Sequence, residues 1–328
     1  MSTDAPDVLV VVEQDAEFID ESGERKIVAR SPTQLFVMRF RRDKVAMTAL
    51  GFIVLLLLIA IFAPLIVKAL GVQGPKVQNP DALDAFGTAT GPSAQHPFGV
   101  DQLGRDLVSR TIYGSRVSLE AAVLGTGLAA LIGTTVGLVA GFFGGFVDTM
   151  LSRTTDLVLA FPILLLGLGL AAACSGADGC VGGLVQPGLG VVILVISLFT
   201  WPYIARIVRG QTLSLREKEF VEAARSLGAS NRRIIARDIL PNLVAPLIVY
   251  TSLLIPVNIL LEASLSFLGV GVQGGTPSWG AMIAEASGQF PDSWWYMLFP
   301  GLALLLTVLA FNLVGDGLQD ALNPRGRK

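Results

Sequence analysis

Charge is scarce in this chain, and so are the side chains that do most enzymatic chemistry. Only 15% of its 328 residues are Asp, Glu, Lys or Arg, against roughly 25% in a typical soluble domain. Histidine occurs once, at His96, and cysteine twice, at Cys174 and Cys180. Two thiols with no nearby imidazole do not make a metal-binding set, so no metal site is expected, and His96 reads as a hydrogen-bond donor in a loop. No G-x-x-x-x-G-K-[ST] segment occurs, so the chain lacks that means of holding ATP. No basic run is interleaved with aromatic residues, which argues against nucleic acid as a partner. The formal net charge of -2 says nothing further about partners. No catalytic residue is assigned.

Apolar residues are abundant instead, at 52%, with a mean hydropathy of +0.64. Several apolar runs approach 20 residues, the length that crosses a bilayer as a helix. Backbone groups in hydrocarbon must be satisfied within the segment. The fold class is therefore all-α, a polytopic transmembrane helix bundle with six spans, at about 45–67, 117–142, 154–173, 188–207, 243–267 and 297–314. The first run is too long for a signal peptide core and has no small-residue cleavage site behind it, so it reads as a retained span.

Lys and Arg orient the bundle. With the N-terminus inside, 19 of the 24 basic residues fall on the inner side, and segments 174–187 and 268–296 on the outer side hold none. Both termini are thus expected in the cytoplasm. The division is a 1–30 acidic tail, expected to be disordered or to hold a short strand at 8–12, and a basic juxtamembrane segment at 31–44. The first span is followed by an extracytoplasmic loop at 68–116, a core at 117–314 and a cytoplasmic tail at 315–328. Leu35 to Arg42 mixes apolar with basic residues, which fits an interfacial helix on anionic lipid or ordinary positive flanking.

A charged island separates the fourth and fifth spans. From Leu215 to Leu227 it has no Gly or Pro and reads as helix, with Glu219, Ala223 and Ser226 on one face and Phe220, Ala224 and Leu227 on another. Gly228 permits a backbone reversal. Ser230 is placed to cap a second short helix at 231–239, and Pro241 to end it. The run Glu222-Ala223-Ala224-Arg225-Ser226-Leu227-Gly228, followed by Ile239-Leu240-Pro241-Asn242, resembles the EAA loop of bacterial ABC importer permeases. Asp238 departs from that pattern, which prefers Ile there.

Other segments carry an independent resemblance. The run from His96-Pro97-Phe98-Gly99 through Asp101-Gln102-Leu103-Gly104-Arg105-Asp106 to Arg110 is similar to the segment before the second span of dipeptide, oligopeptide and nickel permeases. So are Gly114-Ser115-Arg116-Val117-Ser118-Leu119, Ser264-Leu265-Ser266-Phe267-Leu268-Gly269, Pro277-Ser278-Trp279-Gly280 and Asn312-Leu313-Val314-Gly315-Asp316-Gly317-Leu318. Together they cover about residues 31–325 and resemble the second of the two permeases in such systems.

The resemblance implies a type I ABC importer permease in the bacterial plasma (inner) membrane, a transport subunit and not an enzyme. Implied partners are a second permease subunit, two ATP-binding cassette ATPase subunits that carry ATP and Mg, an extracytoplasmic solute-binding protein, and lipid. Glu222, Ala223, Ala224, Gly228, Leu240 and Pro241 are the implied ATPase-coupling residues. The implied cargo is di- or oligopeptides; nickel complexes, glutathione and haem are handled by similar permeases. A standalone secondary carrier or channel is the rival reading, and a membrane scaffold a third; co-purification of an ATPase separates them.

Within the spans, Gly125, Ala129, Gly133, Gly137 and Gly141 recur every four residues, a face suited to close helix approach. Thr251, Asn258, Glu262 and Ser266 lie near one side of the fifth span. Intramembrane acids usually face protein or water, so these four either line a translocation path or brace neighbouring helices. Pro162, Pro202, Pro246, Pro256 and Pro300 each free a carbonyl and are positioned to bend a span. Cys174 and Cys180 flank a Gly-containing outer loop in an oxidising setting, where a disulfide is expected.

Overall fold

The computed structural model describes residues 32–322 apart from 175, 177, 178, 181, 184, 273 and 274. The acidic tail with its expected strand at 8–12, and residues 323–328, lie outside the described residues. Among the described residues there is no β-strand, only isolated bridges. Helix α1 (Pro32–Arg42) leads into α2 (Lys44–Ile61), which begins where the Asp43 carboxylate accepts hydrogen bonds from the Val45 and Ala46 amides, at 2.9 and 3.0 Å. The expected first span is broken: α2 stops at Phe62, and α3 (Ala63–Ala69) restarts with Pro64 in its first turn.

Helix α4 (Leu107–Phe143) has 37 residues, about 55 Å of helix, whereas the hydrocarbon core is about 30 Å thick. It starts ten residues before the expected span, because Asp106 caps it by accepting from the Ser109 amide. Residues 107–116 are therefore helix and not loop. Helices α5 (Gly145–Ala160) and α6 (Ile163–Ala173) take the place of the span expected at 154–173 and meet at 85°, the bend falling at Pro162. Phe161 precedes Pro162 and takes an extended conformation, φ -89° and ψ 139°, as the residue before proline prefers. Pro202, Pro246, Pro256 and Pro300 lie inside helices that continue past them.

Helix α7 (Leu189–Arg216) is followed by the short α8 (Glu219–Ser226) and α9 (Asn231–Ile234), then α10 (Leu240–Phe267), α11 (Trp279–Ser287) and α12 (Trp294–Leu322). Helix α12 carries through most of the expected C-terminal tail. Among the described residues, five helices are long and apolar enough to cross a membrane, or six crossings if α5 and α6 count as one. Taken as six, the crossings alternate so that segments 70–106, 174–188 and 268–293 share one end of the bundle, and α8 and α9 sit at the other.

Two seams organise the core. Along α2, Ala49, Ile53, Leu56 and Ala60 recur at helical spacing and pack with Leu119 of α4 and Ala310, Phe311 and Val314 of α12. The larger seam joins α4 to α7 through the glycine stripe. A Cβ at Gly133 would fall 2.6 Å from the Trp201 carbonyl oxygen, and at Gly137 2.5 Å from that of Ala205. At Gly125 and Gly141 it would meet Ile196 and Thr212 side chains at 2.6 and 2.7 Å. The stripe is thus a packing face within the bundle. Gly127 on the same helix has nothing within 4 Å.

Candidate functional site

The charged island between α7 and α10 folds as a helix, a glycine turn and a second helix, with differences in detail. The first helical run is interrupted at Glu217 and Lys218, so α7 ends before α8 begins. At the end of α8, Gly228 has φ +79°, and the Ala229 amide reaches back to the Ala224 carbonyl at 3.0 Å, the cap that a left-handed glycine makes possible. Ser230 occupies the N-cap position of α9 but makes no side-chain capping bond. Pro241 does not end the second helix. Residues Ile235–Ile239 form a π-helical turn, and the Leu240 amide bonds the Ile235 carbonyl. This wider turn carries the chain into α10 with Pro241 in its first turn, where a missing N–H is tolerated. The Asn242 side-chain amide donates to the Asp238 carbonyl at 2.6 Å.

The packing sorts the island into an inside and an outside. Val221 is fully buried with Phe142, Ile234 and Ile239, and Ala224 and Leu240 are packed partly against the same cluster. Glu222, Ala223 and Gly228 are exposed, as is Pro241. Leu227 is 88% exposed. Glu222, Ala223 and Leu227 thus lie on the surface of the island, while Ala224 and Leu240 are part of the footing beneath it.

Asn258 and Glu262 face protein in the bundle, one turn apart on α10. The Asn258 Oδ1 accepts from Thr200 of α7 at 2.9 Å, and its Nδ2 donates to Thr126 of α4 at 2.7 Å. One side chain therefore links three spans. Glu262 is fully buried. Its Oε1 accepts from Ser266 at 2.8 Å, and the Ser118 and Ser278 hydroxyls lie against the same carboxyl group. Its Oε2 has no partner in hydrogen-bond geometry. Thr251 lies two turns away and joins neither cluster; its hydroxyl is buried without a partner.

Among the described residues, a further polar cluster lies at the end of the bundle that holds the loop before α4. Asp101, fully buried, accepts from Arg105 Nε at 2.6 Å and from Arg110 at 2.5 Å. Glu285 of α11 accepts from both arginines, at 2.9 and 2.8 Å, and from the Tyr296 hydroxyl of α12 at 2.5 Å. Burial works against the Arg105 charge, but Asp101 and Glu285 outweigh it and hold its pKa above the ordinary value. His96 bonds Asp106 at 2.8 Å, so it orients the α4 cap. The loop before α4 is thereby fastened to α11 and α12. The alternation of Asp101, Arg105 and Arg110 was a usable signal for the local half. Glu285, 175 residues beyond Arg110, left none.

At the α8 end, charges join α5 to α7. Arg209 makes a two-pronged pair with Asp148, one contact at 2.7 Å, and Arg206 pairs with Asp156 at 2.6 Å. Arg216 donates to the Gly141 and Phe142 carbonyls at 3.1 and 3.3 Å, covering the end of α4. Cys174 and Cys180 are joined by a disulfide with Cα atoms 4.9 Å apart. Among the described residues, no group of three or more His, Cys, Asp or Glu is placed to hold a metal.

Residues 133–328 match the family described as binding-protein-dependent transport system inner membrane component. Residues 31–84 match the N-terminal TM domain of oligopeptide transport permease C. The chain is 42% identical over 296 residues to the glutathione transport system permease protein GsiD of Escherichia coli (strain CFT073), covering 90% of this chain and 91% of that one. The protein of the same name from Shigella boydii gives the same values. Among solved structures, the inward-facing MetNI methionine ABC transporter aligns with a TM-score of 0.53 at 18% identity, over 66% of this chain and 98% of that chain.

Proposed function

The chain belongs to the binding-protein-dependent transport system inner membrane component family, and from that premise we propose that it carries short peptides inward as one of two permeases in an ATP-driven importer. It is a permease subunit of an ABC importer and a multi-pass protein of the bacterial inner membrane. The finer reading is ours. The carrying observation is 42% identity over nine-tenths of the chain to a glutathione permease. Glutathione, a modified tripeptide, is accordingly the second reading of the cargo.

The α8 end faces the cytoplasm in this reading, in accord with the bias of Lys and Arg. Glu222, Ala223, Gly228 and Leu227 then meet an ATPase subunit, which holds ATP and Mg. A second permease completes the path, and a solute-binding protein delivers cargo at the opposite end. Asn258 and Glu262 brace α10 against its neighbours; their burial within the subunit supports this role over lining a path.

Purification of the complex from its native membrane in detergent, followed by mass spectrometry, tests the reading. An ATPase and a second permease should co-purify, with a short peptide or glutathione bound. A chain that transports without an ATPase would leave a secondary carrier. A nickel complex or haem as the bound cargo would overturn the peptide assignment and keep the rest.

A further inference from the structure

Among the large apolar side chains of the described residues, two stand out by exposure, Phe86 at 91% and Leu227 at 88%. Both lie in loops, so membrane lipid around the spans does not account for them. Both stand next to a glycine in the left-handed region, Gly87 at φ +75° and Gly228 at φ +79°. They occupy opposite ends of the bundle. Leu227 belongs to the surface read above as the ATPase contact. Phe86 has the same form and no assigned role.

The segment that presents Phe86 is a fixed hairpin. Leu83 and Ala89 form an antiparallel bridge, and the Asp84 amide bonds the Thr88 carbonyl at 3.0 Å. Inside the turn, the Asp84 carboxylate accepts from the Phe86 and Thr88 amides at 2.9 and 2.8 Å and from the Thr88 hydroxyl at 2.5 Å. Thr90 ties the base to the Ala82 carbonyl at 2.6 Å. Gly91 and Gly99 lie against the Trp295 ring of α12, which leaves no room for a Cβ at Gly99. The hairpin is therefore anchored to the same cap that Asp101, Arg105, Arg110 and Glu285 hold together. An aromatic ring held in place has already lost the freedom that binding would otherwise remove.

We propose that Phe86 is a docking anchor for the extracytoplasmic solute-binding protein, entering an apolar pocket rimmed by basic groups on that partner. The proposal rests on the importer reading given above. Charge selects this partner over a lipid surface. The only charged residues from 79 to 90 are Asp81 and Asp84, both exposed. Hydrogen bonds from the Thr88 side chain and amide hold the Asp84 carboxyl below its usual range, so it is ionised at neutral pH. Two carboxylates beside the ring disfavour anionic headgroups and favour a basic rim.

The test uses the whole importer complex in nanodiscs, with ATPase activity measured against increasing concentrations of the purified solute-binding protein. Phe86→Ala should raise the half-stimulating concentration about tenfold or more, as loss of a buried aromatic anchor does. Basal ATPase activity and complex yield should not change, and Phe86→Leu should fall between. An unchanged half-stimulating concentration in Phe86→Ala overturns the proposal while leaving the importer reading intact. So does an effect of Phe86→Ala that follows anionic lipid content and not binding-protein concentration, which would make the hairpin a membrane anchor. A wild-type complex indifferent to the binding protein at every concentration overturns the importer reading and the docking site together.

Discussion

Helix α7 meets two neighbours in two different ways. Against α4 it lies backbone to backbone, with glycine positions where an added carbon would sit 2.5 to 2.7 Å from existing atoms. Against α5 it packs through Val158 and adds ion pairs from Arg206 and Arg209, which lie at the ends of long side chains. The first contact has no slack, since closely packed interiors do not deform smoothly. The second can lengthen or shift by rotating side chains. The α4–α7 pair is therefore the tightly packed frame of the subunit, and α5, bent from α6 by 85°, joins it through contacts that include charged side chains.

The frame is easiest to break. Gly137→Leu should abolish recovery of folded complex, because the Ala205 carbonyl has nowhere to go. Gly133→Ala with Gly137→Ala should lower yield strongly, at about 1–3 kcal/mol for each overpacked site. Gly127→Ala on the same helix should purify like wild type, and equal losses at Gly127 and Gly137 would remove the distinction drawn here. Size-exclusion yield and thermal melting in detergent are the measurements.

The α5 seam should respond to charge and not to volume. Asp148→Arg should cost less than Gly137→Leu but clearly reduce yield, since it faces Arg209 directly. Adding Arg209→Asp should restore most of the loss, roughly the 1.5–3 kcal/mol of a charged hydrogen-bonded pair. Failure of the double exchange to recover yield would mean that this seam is as shape-dependent as the other.

Glu262 lies between these cases, buried like the glycines and polar like the arginines. Glu262→Ala leaves the surrounding serine hydroxyls without their acceptor and should reduce yield by an amount worth about 1–3 kcal/mol. Glu262→Gln should assemble normally, with uptake per complex close to wild type if the residue only braces. A marked change in uptake at normal yield would instead return Glu262 to the translocation path.

Gly228 lies in open space, with strain only from its positive φ. Gly228→Ala should cost the subunit about 1–2 kcal/mol in stability, the cost of a Cβ in the left-handed region, so yield should fall only modestly. Coupling is read separately, as cargo moved per ATP hydrolysed. That ratio should fall if the turn seats the ATPase, and a normal ratio would sink the role given to it.

What the sequence made legible was local. Glu222 to Gly228 reads as helix then reversal because both signals lie within a few residues. The glycine stripe was readable as a face, and the structure identifies its partner as α7. The prolines show where such reading stops. Each of five was placed to bend a span, yet only Pro162 coincides with a sharp break. A free carbonyl and a ring clash do not say whether the helix will continue past them, as it does at the other four. Pro241 looked like an end and proved to be inside a first turn, because the π turn before it adds the room that a regular helix lacks. The Arg105 and Arg110 bonds to Glu285 join residues too far apart in sequence for spacing to suggest them.

The continuity across Pro241 has a mechanical meaning. From Asn231 to Phe267 the backbone is helical for 37 residues, a rod of about 55 Å at 1.5 Å per residue. One end adjoins the exposed turn at Gly228. The other grips α11, where a Cβ at Gly280 would fall 2.5 Å from the Ala263 backbone, and α11 carries Glu285 into the cap. Had proline broken this rod, a push at one face would have been absorbed in a joint. Unbroken, a rod of this length would act as a lever if it tilted: a tilt of about 5° about one end would sweep the other through roughly 5 Å, by the same rise per residue. Leverage, and not a relay of individual contacts, is what this geometry offers for joining events on the two faces of the membrane.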